Sequence, residues 1–229
     1  MPEWEDAGYE LRYSAKEDPW QDLETWLAIC TEEDDERFAR LVEESVDIDS
    51  LLRYMLFVQA CGMTDNFRNN MFFGVQTGAD SVTYRFYPWD LDFSWGAQVR
   101  RIGYEFDVWQ CFPPGDRILN LNVAGARQRF ADIWHAMRQT VMTQENVEAL
   151  VEDFTETLRD SGAARRNVWR WGMGDEDPDG SELVTFASVR FPWLDARVSE
   201  IAKTKASIPY LAESAYRTDS IAADQDEQE

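Results

Sequence analysis

Histidine, cysteine and lysine are scarce in this chain. One His, His135, and three Cys, Cys30, Cys61 and Cys111, occur among 229 residues. The cysteines are widely spaced and form no C-x-x-C pair, which excludes the usual zinc sites. So scattered an odd set is no disulfide framework, and leaves room for one bridge at most. Cys61 falls within an apolar helical pattern and reads as a small core residue. Lys16, Lys203 and Lys205 are the only lysines, so arginine carries nearly all the positive charge. No apolar run is long enough to span a bilayer. Met1 is followed by acidic and polar residues, not by a basic stretch and an apolar run, so no signal peptide is expected at this start.

Acidic residues are plentiful: 44 against 22 basic, a net charge of -22. A field of that sign repels nucleic acid and anionic membranes, so neither is an expected partner. Hydrophobic residues make up 44% of the chain and aromatics 14%, with ten Trp. Disorder needs low hydrophobicity together with high charge, so this composition predicts a folded chain. Its length suits one substantial domain.

Residues 1–18 read as an extended lead-in, 19–210 as the folded body, and 211–229 as an acidic, disordered tail. Trp20, Leu23, Trp26, Leu27 and Cys30 recur at helical spacing, with Pro19 suited to that helix's first turn. A short acidic helix is predicted over 33–45, with Phe38, Leu41 and Val42 inward. Asp47 or Asp49 then caps a buried helix that carries Leu51, Met55 and Val58 and stops at Gly62. Residues 64–70, TDNFRNN, have loop chemistry. Two strands are predicted next, Met71–Val75 and Val82–Tyr87, joined by a turn around Thr77, Gly78 and Asp80. PWDLDFSWG, residues 88–96, is a loop. Residues 97–125 read as irregular, because Pro113, Pro114 and Gly115 sit among them. Two amphipathic helices follow. One carries Phe130, Ile133, Trp134, Met137 and Val141 inward. The other, capped by Thr143, carries Val147, Leu150, Val151, Phe154 and Leu158. A last helix holds Phe191, Leu194, Val198 and Ile201, with Pro192 near its start. The predicted fold is mainly α with a small central β-hairpin.

Chemistry concentrates in residues 65–92. Asp65 and Asn70 lie five apart in a loop after a buried helix. A hairpin follows, and then Asp90 and Asp92. Phosphotransferases of the kinase type need a carboxylate that orients or deprotonates the attacking hydroxyl. They also need an amide oxygen in the same loop and a second carboxylate after a neighbouring strand, both for metal. The Asp-to-Asn spacing matches the pattern H-R-D-x-x-x-x-N. Two carboxylates and an amide are the hard oxygen donors that magnesium takes. Taken alone, the same Asp and Asn residues also suit a turn and cap after a helix.

The run from Asp47 to Gly96 resembles the CotH kinase family, named for a spore-coat protein of endospore-forming bacteria. The resemblance rests on the cap Asp47–Ser50, the loop Asp65–Asn70, the strand start Met71–Phe73, and Pro88–Asp92 followed by Phe93 and Gly96. It implies the C-terminal lobe of an atypical protein-kinase-like fold. It also implies ATP, magnesium or manganese, and transfer of phosphate to Ser or Thr of a protein substrate. By the same resemblance Asp65 is the catalytic carboxylate, and Asn70, Asp90 and Asp92 face the metal, Asp92 as a ligand or a structural partner. Asn66 and Asn69, with Asn70, shape the loop on the cofactor side. Phe67 takes a place where relatives often have His. The family's N-terminal lobe, with its phosphate-holding Lys, is expected to be missing, since Lys16 lies in an acidic context, SAKEDPW. A spore-coat or extracytoplasmic location is implied, with the compartment left open. Two other outcomes stay open: a pseudokinase or interaction module without turnover, and another transfer such as adenylylation or glutamylation.

Other features read as structural. Asp175, Asp177, Asp179 and Gly180 imitate the start of a calcium loop, but its twelfth position is Phe186 and Pro178 interrupts it. That stretch is expected to be a solvated loop. His135 sits on a polar helix face. Trp134, Trp169, Trp171 and Trp193 are expected in the core, and so is Trp89.

Overall fold

The computed structural model describes residues 8–14, 16–18, 20–63, 65–67, 69–78, 82–96, 106–172 and 174–215. The expected start at Pro19, the hairpin tip at Asp80 and residues 216–229 of the expected tail lie outside them. The described chain is mainly helical with one two-stranded antiparallel sheet.

Three helices open it: α1 (Gln21–Cys30), α2 (Asp35–Ser45) and α3 (Ile48–Cys61). The second and third each start on a capping side chain. Asp34 caps α2 by accepting from the Arg37 N–H, and Asp47 caps α3 by accepting from the Ser50 N–H at 3.0 Å. Gly62 ends α3 in the left-handed region at φ 63°. A Cβ there would lie 2.6 Å from the Phe186 ring, so glycine is required by space as well as by conformation. Helix α3 is buried on nearly every side, through Leu51, Leu52, Met55, Leu56, Val58, Ala60 and Cys61. Each such side chain contributes about 1.5–3 kcal/mol of burial, less where it is small, so α3 is the axis of the core.

Strands β1 (Met71–Thr77) and β2 (Val82–Pro88) pair with Phe73 opposite Phe86 and Met71 opposite Pro88. Along β2, Tyr84 and Phe86 point inward while Arg85 and Tyr87 are exposed, the period of two expected for a half-covered strand. Trp26 packs on both inward rings, with centroids at 5.6 and 5.1 Å. Strand β2 is also stitched to the start of α3. The Asp47 N–H donates to the Tyr84 carbonyl at 3.0 Å, and the Phe86 N–H to Ser50 Oγ at 3.2 Å.

The segment expected to be irregular contains a helix, α4 (Pro113–Leu121), followed by a 3-10 turn at Val123–Gly125. Proline is tolerated in a first helical turn, where its missing N–H has no intrahelical acceptor anyway. Buried Asp116 then reaches back to accept from the Phe112 N–H at 2.8 Å and the Trp109 indole at 3.0 Å. Next come α5 (Ala126–Thr140), α6 (Gln144–Asp160) with Thr143 as its cap, and α7 (Ala163–Trp171). Helix α8 (Ser181–Lys203) is longer than expected and carries Pro192 at its middle, not near its start. Helix α9 (Pro209–Ala215) crosses the boundary drawn at 210, and Leu211 within it is fully buried, so the body extends into the segment read as tail.

Helix α3 packs against β2, α4, α5 and α8, and α9 covers α4. A buried guanidinium joins α8 to this centre. Arg190 donates to the carbonyls of Gln59, Phe106 and Val108, each at 2.8 Å, and lies over Trp193. Gln59, also buried, exchanges two hydrogen bonds with the Gln110 backbone. None of the three cysteines forms a disulfide. Several inward expectations are overturned. Val141, Leu150, Phe154, Leu158, Trp169 and Trp171 are exposed; among the described residues α6 packs mainly on α8, and α7 on α6.

Candidate active site

The loop after α3 closes on itself. The Asp65 carbonyl accepts from the Asn69 N–H at 2.9 Å and from the Asn70 N–H at 3.3 Å, one helix-like turn. The Asp65 side chain takes part as well. One carboxylate oxygen accepts from Asn69 Nδ2 at 2.7 Å and the other from Asn70 Nδ2 at 2.8 Å. The carboxylate is therefore aimed, and Asn70 is oriented with its nitrogen toward Asp65 and its amide oxygen turned away.

Asn66 links this loop to the end of the hairpin. It is buried, at 1% exposure, and its Nδ2 donates to the Asn70 carbonyl at 2.9 Å and the Trp89 carbonyl at 2.7 Å. Its own carbonyl accepts from the Tyr54 hydroxyl of α3, and burial pushes that phenol's pKa well above the usual tyrosine range. Its Oδ1 is buried and has no hydrogen-bond partner among the described residues. The Asn66 amide nitrogen is committed to backbone inside the protein. The Asn69 amide nitrogen is likewise used on Asp65.

Phe67 is buried and stacks on Phe112, with centroids 4.8 Å apart and planes at 14°. Tyr54 meets it edge-on at 5.7 Å. An aromatic cluster thus holds the loop from behind.

Hairpin register brings the second motif alongside. With Met71 opposite Pro88, Asn70 falls next to Trp89, and the Trp89 N–H donates to the Asn70 carbonyl at 3.1 Å. Trp89 is not the expected core plug. It is half exposed and leans on Phe72 at 5.1 Å. Asp90 follows with φ at 52°, a left-handed conformation that Asp tolerates better than most residues. The loop returns to α3 through the Trp95 N–H, which donates to the Cys61 carbonyl at 2.7 Å. Asp90 and Asp92 are exposed.

The structure therefore unites Asp65, Asn66, Asn69 and Asn70 and sets Trp89 and Asp90 at their edge. Among the described residues, no three acidic, His or Cys side chains converge as a metal cluster. Lys16 is paired with Asp22 at 2.5 Å, at the start of α1. His135 is exposed and bonds Gln139. In the loop that imitates a calcium site, Asp175 accepts from the Asp177 N–H and Asp179 from the Ser181 N–H, which are turn and helix-start contacts. Sequence reasoning missed the contributions of Tyr54 and Phe112, which carry no motif and are recognised only by contact.

The family model for CotH kinase protein matches residues 2–194 of the chain. That is most of its length, and the chain belongs to the CotH kinase family. The membership supports a kinase-like function in general, and kinases in general use ATP and a divalent cation. A search among curated proteins finds no match. No described helix is long and apolar enough to cross a membrane.

Proposed function

We propose that this chain carries the catalytic-loop half of a protein-kinase-type site that transfers phosphate from ATP to a Ser or Thr hydroxyl, in the arrangement of a kinase C-terminal lobe. The observation that carries the reading is the double clamp on Asp65. A carboxylate held by two amides through both oxygens is positioned to orient an acceptor hydroxyl and take its proton. Asn69 and Asn70 do the aiming, and Asn66 keeps the loop against the hairpin.

Asn70 and Asp90 would hold the divalent cation. The donor set fits a hard ion such as magnesium or manganese, because the Asn70 amide oxygen is turned away from Asp65 and Asp90 offers an exposed carboxylate. Asp92 is a second ligand or a support for this loop. When bound, the cation neutralises charge on the transferring phosphoryl group.

A second reading is a relative that keeps the fold and binds without turnover. It is favoured by Lys16, the only lysine in the first two hundred residues, whose ammonium is engaged by Asp22.

Thermal shift with ATP and manganese separates the two. A ligand that binds only the folded state adds about 2.7 kcal/mol at a hundredfold excess over Kd. The catalytic reading expects a shift in Tm that requires both ATP and manganese and disappears in Asp90→Ala, with the variant's unliganded Tm near the wild type's. A shift from manganese alone would favour the binding-only reading. No shift in the wild type would sink the metal assignment.

A further inference from the structure

We propose that the outer face of α7 docks an acidic segment of a partner polypeptide. In a chain of net charge -22, α7 reads AARRNVWRW and carries three arginines and no acid. Ala164 is its one buried residue. Arg165, Arg166, Trp169 and Arg170 fall on the opposite face at helical spacing. Trp169 is 87% exposed there, with arginines four and three residues before it and one after it. Trp171 is 61% exposed and lies under the Arg170 guanidinium at 4.9 Å. A bare indole among guanidinium groups is the composition of a binding hot spot, not of an ordinary solvated helix.

Charge complementarity identifies the occupant. Arginine recognises carboxylates through paired N–H donors, and Trp adds apolar area, so the fitting ligand is a chain that carries both acids and apolar side chains. The surroundings favour a narrow ligand over an extended anionic surface. The loop after α7 carries Asp175, Glu176 and Asp177, all exposed, and folds back so that Gly174 lies against Asn167 of α7. Helix α6, which packs on α7, exposes Glu152 and Glu156. A lipid plane would bring its charge onto these acids within a Debye length of about 8 Å. A single extended strand can touch the α7 face alone. This surface is separate from the Asp65 loop, and the proposal does not depend on phosphotransfer.

The test is fluorescence anisotropy of a short labelled peptide of alternating Glu and Leu, titrated with the full chain at low salt. The same peptide with Lys for Glu is the control, and vesicles of phosphatidylserine and phosphatidylcholine form the third arm. Binding of the acidic peptide is expected, weakened by salt, with a loss of about tenfold or more in Trp169→Ala and in the double variant Arg165→Glu, Arg170→Glu. Circular dichroism and Tm of both variants should match the wild type, because the altered side chains are exposed. Absence of acidic-peptide binding, equal binding by the variants, equal binding of the Lys peptide, or binding to vesicles instead of peptide would each overturn the proposal.

Discussion

Asn66 and Trp89, 23 residues apart, are joined by a hydrogen bond of 2.7 Å from the Asn66 amide to the Trp89 carbonyl. The same nitrogen holds the Asn70 carbonyl at 2.9 Å. One buried side chain therefore fixes the spacing between the loop of Asp65 and the strand end that leads to Asp90.

Replacing it should loosen both. Asn66→Ala removes two hydrogen bonds, each contributing about 1 kcal/mol net, and strips the Trp89 carbonyl of this donor, so a loss of about 2–3 kcal/mol is expected. Urea denaturation measures it. A change within about 0.5 kcal/mol, the range of an ordinary surface substitution, would show that the link is not structural.

Arg190 makes a second buried connection, from α8 to the carbonyls of Gln59, Phe106 and Val108. Arg190→Ala should cost about 3 kcal/mol or more, since it removes charge-assisted hydrogen bonds from buried carbonyls. Arg190→Lys should not recover the loss, because one ammonium cannot span acceptors that a planar fork reaches together. Full recovery of Tm by lysine would contradict that account.

Alkaline pH should unfold the chain early. Burial pushes the Cys30 and Cys61 thiols far above their ordinary value of 9.0, against the opposing pull of Arg117 on Cys30 and of Arg190 on Cys61. Burial also pushes Tyr84 and Tyr210 up from 10.0 to about 12, aided by the negative charge of Asp22 on Tyr84 and of Glu200 on Tyr210. These folded values lie above the unfolded ones. The unfolded chain therefore releases its protons first, and stability is intact below pH about 9 and falls as pH rises. Each thiol contributes a slope approaching 1.4 kcal/mol per pH unit, by order of magnitude. Urea midpoints measured from neutral pH upward should decline from about pH 9. A flat profile through that region would refute these thiols as the cause.

Local chemistry was legible where one residue type has one strong use. Asp47 at the head of an apolar helical run and Gly62 at its foot mark α3 from both ends. Aromatic and β-branched residues around Gly78 mark the hairpin. Asp65 and Asn70 carry the five-residue spacing of a kinase catalytic-loop motif. The proline pair at Pro113 and Pro114 misled for the same reason. Proline breaks helix interiors but suits a first turn, and Asp116, which makes that turn satisfactory, acts through contacts with Trp109 and the Phe112 N–H.

Periodicity also shows which side of a helix is apolar without showing what covers it. Leu150, Phe154 and Leu158 have the spacing of a core stripe, yet α6 presents them to solvent.

By itself the sequence determined the helical body, the central hairpin and the family, and it singled out the carboxylates and amides proposed for the site, because caps, periodicity and motif spacing act over a few residues. Only the tertiary structure decided that Asn66 faces inward as a link, that Phe67 stacks on Phe112, and that Trp169 lies bare among arginines. These depend on hairpin register and helix packing, which bring together or leave apart residues whose separation in the chain carries no signal.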